Sequence, residues 1–122
     1  MKYSLCFDPE VPCVVLTCEG AVDLQAIREL APHVAHTCSE TGCPRILIDM
    51  GAATLELSVM QIFESPSIMD QSHIPRTTKR AGVMPSGFTD AHFLETITRN
   101  RGHNFKLFST VAEAKAWLHQ DP

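Results

Sequence analysis

The apolar positions in the second half of the chain repeat a strand-then-helix pattern. The apolar run at 81–84 precedes a helical pattern over 91–101, and Phe105–Phe108 precedes another over Val111–His119. Ile46-Leu47-Ile48 before Asp49 begins an earlier unit of the same kind. Successive strand-helix units lay their strands parallel and cover the sheet with helices. The pattern therefore predicts an α/β fold built on a mostly parallel sheet.

The first twenty residues have a different pattern. Tyr3, Leu5 and Phe7 alternate with more polar residues, turn-forming residues follow at 8–12, and a β-branched run occupies 13–18 before Gly20. Alternation, turn and second run are typical of an antiparallel hairpin, whose more polar first strand belongs at the sheet edge. The predicted element order is β-β-α-β-α-β-α-β-α.

The first helix has the clearest amphipathic pattern. Pro32 falls on its polar side, where it removes one backbone hydrogen bond, so we expect one bent helix rather than two. Gly42 is expected to end it. Its predicted buried face, with spacings of three and four, consists of Leu24, Ile27, Leu30, Ala31, Val34, Ala35 and Cys38.

Ser58 is a good N-cap for a second helix. The predicted inner face of this helix is Val59, Ile62, Phe63, Pro66 and Met69. Met60 and Ile68 lie outside that face, so they are either tolerated single apolar residues or the contact of a weak homodimer. Two further helices are expected, one capped by Asp90 or Thr89 and one begun by the capping box of Thr110 and Glu113, with Trp117 docking on the sheet.

Length and composition describe one ordinary domain spanning residues 1–122. The chain has 44% hydrophobic and 20% charged residues and a net charge of −4. It shows no basic stripe for nucleic acid and no apolar run near the ~20 residues of a membrane span. No leader pattern opens the sequence, and five cysteines without a paired motif fit a reducing compartment, so we expect free thiols and a cytoplasmic protein.

Several segments resemble the bacterial SpoIIAA-like small proteins, of the STAS/SEC14 type, whose fold is that of anti-sigma-factor antagonists. The segments that carry the resemblance are Glu19-Gly20, Ile46-Leu47-Ile48-Asp49, Ala53-Thr54-Leu55, Phe93-Leu94-Glu95-Thr96, Asn100-Arg101-Gly102, Phe108 and Glu113-Ala114-Lys115-Ala116-Trp117-Leu118. They span nearly the whole chain. Because most of them determine the fold, the resemblance is more specific for architecture than for activity.

The resemblance implies a protein that is regulated by phosphorylation. In anti-sigma-factor antagonists, a partner kinase phosphorylates a serine at the start of the helix that follows the Asp-ended strand, and the matching position here is Ser58. Glu56-Leu57-Ser58-Val59 lacks the second serine and the glycine of the usual stretch, so a plain N-cap is the alternative. The SEC14 side of the resemblance implies a lipid ligand, although the lipid carriers are longer chains with extra helices.

Two other groups are candidates for chemistry. Asp49, at the end of a central strand, is placed where an α/β protein puts an acid or base, or it is a turn acid that accepts backbone N–H bonds. Glu29, His33, His36 and Glu40 form a row on the first helix that could bind zinc or nickel adventitiously, but no functional metal site is expected. His73, His92, His103 and His119 are expected at the surface.

No phosphate-binding loop, nucleophile elbow or dinucleotide motif occurs, so no cofactor is implied. The sequence favours a non-enzymatic regulatory or protein-interaction module. The second hypothesis is a protein that binds a small apolar ligand or lipid, in a pocket lined by Met60, Phe63, Met84 and Phe88. The third hypothesis is that the protein is an enzyme.

Overall fold

The computed structural model of the protein describes residues 1–120. Its five strands and four helices follow the predicted order. They are β1 (Lys2–Asp8), β2 (Cys13–Asp23), α1 (Leu24–Thr41), β3 (Arg45–Glu56), α2 (Val59–Gln71), β4 (Lys79–Val83), α3 (Ala91–Asn100), β5 (Phe105–Phe108) and α4 (Val111–His119).

The strands form one sheet in the order β1-β2-β3-β4-β5. β1 pairs antiparallel with β2, and the other neighbours are parallel. The sequence prediction of a mostly parallel sheet with an antiparallel edge strand is confirmed.

Side chains that alternate along the strands supply a core on each face. Leu16 and Ile46 pack under α1, whereas Cys13 and Leu47 pack under α4. α2 packs chiefly on α1 and α3, and its Met69 side chain reaches the apolar core above the sheet. One face therefore carries three helices and the other carries α4 alone.

α1 has the predicted face and the predicted end. Leu24, Leu30 and Val34 are buried, Pro32 is exposed inside one continuous helix, and Gly42 caps the helix at φ 66°. A positive φ is cheap only for a residue without Cβ, which is why the helix ends at this glycine.

α2 begins at Val59 as predicted, but its buried side differs from the prediction. Ile68 is only 4% exposed because it packs against Leu24 and Ala31, whereas Val59 and Phe63 are 60% and 55% exposed. The C-terminal half of α2 is covered by α1. In its first turns Ile62 is fully buried, but the side that carries Val59 and Phe63 has little cover. The prediction that Ile68 lies at a dimer contact is therefore wrong.

β2 and β3 are longer than the apolar runs indicated. β2 continues through Gly20 to Asp23, and β3 continues to Glu56, so the segment after Asp49 is strand rather than loop. The pairing register between β2 and β3 shifts there. The two-residue step from Thr17 to Glu19 on β2 lies opposite the three-residue step from Asp49 to Ala52 on β3. This β-bulge lies where β4 ends, because Asp49 pairs with Val83.

α4 is fixed to the sheet by apolar and polar contacts. Thr110 caps it by accepting a hydrogen bond from the Glu113 N–H, as the capping box predicted. Trp117 is half-buried, with its ring centroid 5.6 Å from that of Phe108. The buried Lys79 ammonium lies 4.3 Å from the Trp117 ring centroid and donates to the Trp117 carbonyl oxygen. A cation at the helix C-terminus meets the negative end of the helix dipole.

Candidate functional site

Exposed apolar side chains are concentrated at the start of α2. Val59, Met60 and Phe63 are 60%, 66% and 55% exposed, next to the exposed Ser58. Met1, Tyr3 and Phe7 are the other exposed large hydrophobic residues among those described, and they lie in β1 or before it. We call Ser58, Val59, Met60 and Phe63 the α2 surface. Clustered exposed apolar residues are characteristic of binding sites.

Ser58 forms a complete capping box. Its Oγ accepts from the Gln61 N–H at 3.2 Å, and Gln61 Oε1 accepts from the Ser58 N–H at 3.0 Å. The hydroxyl therefore lies at the helix N-terminus, where free N–H groups and the helix dipole favour a negative charge. This geometry satisfies the N-cap interpretation and also suits a phosphoserine.

Asp49 is half-buried inside β3 rather than at its end. Its Oδ1 accepts from the Gly51 N–H at 3.0 Å, beside the bulge. A turn-like acceptor role accounts for this carboxylate, and the hydrogen bond matches the alternative that the sequence left open.

The row of Glu29, His33, His36 and Glu40 lies along exposed positions of α1. Its members have other partners: His33 stacks on Tyr3 with centroids 6.3 Å apart, and Glu29 accepts from Gln25. His36 contacts Glu40 at 2.5 Å. Within residues 1–120, no group of three or more His, Cys, Asp or Glu side chains is arranged to hold a metal ion.

Three of the thiols are poor nucleophiles because of burial or partial burial. Burial raises the pKa of Cys13 and of Cys38 to about 11, and it also raises the pKa of Cys18. A thiol needs its thiolate form to react, so these three stay inert near neutral pH. Cys6, on the edge strand, is exposed.

The four residues predicted to line a ligand pocket are not brought together in one cavity. Met84 lines an interior cavity of about 110 Å³ between the sheet and the helices α1, α2 and α3. Phe88 lines a surface groove together with residues 51–55. Met60 and Phe63 are 66% and 55% exposed instead, because no neighbouring element within residues 1–120 covers their side of α2.

Sequence reasoning missed a buried polar cluster at the N-terminal end of β4. Arg80 is 4% exposed and His103, expected at the surface, is 5% exposed. An Arg80 guanidinium nitrogen lies 2.7 Å from His103 Nδ1, and His103 Nε2 lies 3.3 Å from Asp70 Oδ1. Arg76 holds Asp70 through two hydrogen bonds of 3.1 and 3.0 Å. The sequence did contain a signal for the burial of Arg80. Lys79-Arg80 directly precedes the strand residues Ala81-Gly82-Val83, and a central strand of a parallel sheet buries its residues on both faces.

Burial and hydrogen bonding shift the pKa values of Asp70 and His103 in this cluster. Hydrogen bonding to Arg76 lowers the pKa of Asp70, which therefore stays ionised. Burial, with the positive charge of Arg80 second, lowers the pKa of His103. His103 is then neutral at neutral pH, and its Nδ1 is free to accept from Arg80. Its buried Nε2 makes no hydrogen bond within residues 1–120, although Asp70 Oδ1 lies 3.3 Å away.

Element order, sheet order and the position of α2 after β3 define the SpoIIAA-like fold. The chain is similar to the anti-sigma factor antagonist SpoIIAA in its unphosphorylated form, with a TM-score of 0.55 and 12% identity over 96% of this chain and 97% of that one. It is equally similar, with a TM-score of 0.55 and 16% identity, to an uncharacterized DUF3478-family protein with a SpoIIAA-like fold from Shewanella loihica PV-4, over 96% and 92% of the two chains. At such identities the likeness shows the fold alone.

The sequence matches no protein-family model, and no curated protein matches it either. None of the helices within residues 1–120 combines the length and hydrophobicity needed to span a membrane.

Proposed function

We propose that this protein is a non-enzymatic regulatory module whose partner, another protein, docks on the α2 surface. The observation that carries the proposal is the cluster of Val59, Met60 and Phe63, each more than half exposed, around the hydroxyl of Ser58. Large apolar side chains near one another provide the buried centre that a protein interface needs. The proposal places the protein in the cytoplasm, in agreement with the sequence prediction.

Ser58 is the regulatory position in this proposal. A phosphate on its Oγ would meet the positive end of the α2 dipole, so the fold would tolerate the dianion. The same dianion would stand beside the apolar side chains of the docking surface, where it opposes desolvation by a partner. Phosphorylation would therefore release the partner without unfolding the protein.

The test is site-specific photocrosslinking in the native host. A benzophenone amino acid replaces Phe63 in one variant and Phe7, an exposed phenylalanine on β1, in a matched control. We expect one defined protein adduct from position 63 that is absent from position 7. Ser58→Asp in the position-63 variant should remove the adduct, and Ser58→Ala should retain it.

Two results contradict the proposal. If positions 63 and 7 give the same adducts, or neither gives one, the α2 surface is not a docking site. If Ser58→Asp leaves the adduct unchanged while its melting curve matches wild type, Ser58 is an N-cap and not a switch. An adduct between two copies of this chain would identify the partner as a second copy.

A further inference from the structure

The interior cavity beneath α1, α2 and α3 has an almost entirely apolar lining. Aliphatic side chains from the sheet and the helices form most of its wall, among them Leu16, Leu30, Val34, Ile46 and Ile48. Its volume of about 110 Å³ is somewhat smaller than the ~150 Å³ of an apolar cavity that accommodates benzene. The cavity can therefore hold a small hydrocarbon group, but not a long acyl chain.

Among residues 1–120, Arg80 is the one charged side chain that lines this apolar space. Arg80 belongs to the cavity wall and is 4% exposed. Its guanidinium contacts Nδ1 of His103 at 2.7 Å and the face of the Phe105 ring, whose centroid lies 5.3 Å away. Within residues 1–120, no carboxylate is in ion-pair contact with Arg80.

Asp70 is the acid whose charge acts on Arg80, but the two side chains form no ion pair. Asp70 is held by the bidentate contact with Arg76, and it reaches Arg80 only through the ring of His103. Even with its pKa lowered to about 10 by burial, Arg80 is cationic at neutral pH. The Asp70, Arg76 and Arg80 group thus carries one positive charge in excess when His103 is neutral. A buried cation without an anion is unfavourable, so an anionic partner would be stabilised at this position.

We propose that the cavity binds a small apolar carboxylic acid of about four or five carbons, as its anion, with the carboxylate on Arg80 and the hydrocarbon group among the aliphatic side chains. Arginine suits this role because its planar fork can donate two parallel hydrogen bonds to one carboxylate. Leu55, Met69 and Met84 line the cavity and are half-buried, so the cavity wall is partly open to solvent at these side chains. The site is separate from the α2 surface and does not depend on the proposed function.

The probe for this site is 3-methylbutanoate, and its neutral isostere is 3-methylbutan-1-ol. Amide chemical shifts of isotope-labelled wild-type protein are followed during titration with each compound. We expect saturable shifts around Leu30, Ile46 and Met84, and a dissociation constant at least about ten-fold lower for the acid than for the alcohol, because only the acid neutralises Arg80. Equal affinities, or no saturable binding of the acid, would overturn the proposal.

Two variants distinguish a specific contact with Arg80 from a general effect of positive charge. Arg80→Gln should bind the acid and the alcohol with the same weak affinity, whereas Arg99→Gln, which removes an exposed arginine on α3, should retain the preference for the acid. If Arg99→Gln loses the preference as completely as Arg80→Gln, long-range charge rather than a site is responsible and the proposal fails. If Arg80→Gln does not fold, the comparison of acid and alcohol on wild type decides.

Discussion

At the scale of single residues, the buried imidazole of His103 couples stability to pH. Arg80 lies at its Nδ1, and Asp70 with its partner Arg76 lies at its Nε2 side. Burial disfavours the imidazolium, so the folded state binds a proton less readily than the unfolded chain, whose histidines titrate near pH 6.5. As pH falls through the unfolded value, the unfolded state takes up more protons and the free energy of unfolding decreases.

His103→Gln should reduce this pH dependence, because a glutamine can still accept from Arg80 but does not titrate. The measurement is the urea midpoint of unfolding between about pH 7.5 and about pH 5.5 for wild type, His103→Gln and the exposed-site control His92→Gln. The urea midpoint of His103→Gln should decrease less with falling pH than the midpoints of wild type and His92→Gln. Three parallel curves would mean that His103 does not contribute.

At the scale of elements, α4 depends on a few contacts because it covers its face of the sheet alone. Trp117 packs on Phe108 and carries Lys79 over its ring. Removing a fully buried tryptophan costs about 3–5 kcal/mol. Since Trp117 is half-buried, we expect about 2 kcal/mol for Trp117→Ala, or a fall in Tm of about 6–10 °C.

Thermal unfolding of Trp117→Ala should be compared with that of Ala116→Gln, which changes the neighbouring exposed position on the same helix. The control should stay within about 2 °C of wild type, because an exposed helical substitution alters stability only slightly. If Trp117→Ala also stays in that range, the docking contacts of α4 contribute little to stability.

Sequence periodicity predicted the elements well where one pattern dominated. α1 has seven apolar positions on one side, a proline on the other and a terminal glycine, and the structure agrees with each. The extension of β3 was not predictable, because Gly51-Ala52-Ala53 has little strand propensity, and Ala52 and Ala53 are held in the strand by pairing with β2. The buried side of α2 was also missed, since Ile68 is covered by α1, a tertiary contact that periodicity does not contain.

At the scale of the whole molecule, the sequence identified positions in the candidate site but not the site as a unit. Ser58 and Met60 were recognised singly, whereas the exposure of Phe63 followed only from how α2 sits on its neighbours. Arg80 and His103 were missed because they are 23 positions apart and meet only when β4 and the segment before β5 are adjacent. Long-range pairing decides such contacts, and local pattern does not encode it.

The α2 surface also predicts how the isolated molecule behaves. Stable interfaces bury about 1,200–2,000 Å² in total, and three exposed side chains are a small part of such an area. Without its partner, the protein should therefore self-associate weakly through Val59, Met60 and Phe63, in a monomer–dimer equilibrium visible by sedimentation only at high concentration.

Met60→Glu should shift that equilibrium to the monomer, because docking would then bury a carboxylate without a counter-ion. Phe7→Glu introduces the same charge at another exposed apolar position, on the edge strand β1, and should leave the equilibrium unchanged. Sedimentation velocity over a concentration series of the three proteins distinguishes the outcomes. A wild type that is monomeric throughout would show that the α2 surface does not pair with itself, and loss of association in Phe7→Glu alone would move the contact to β1.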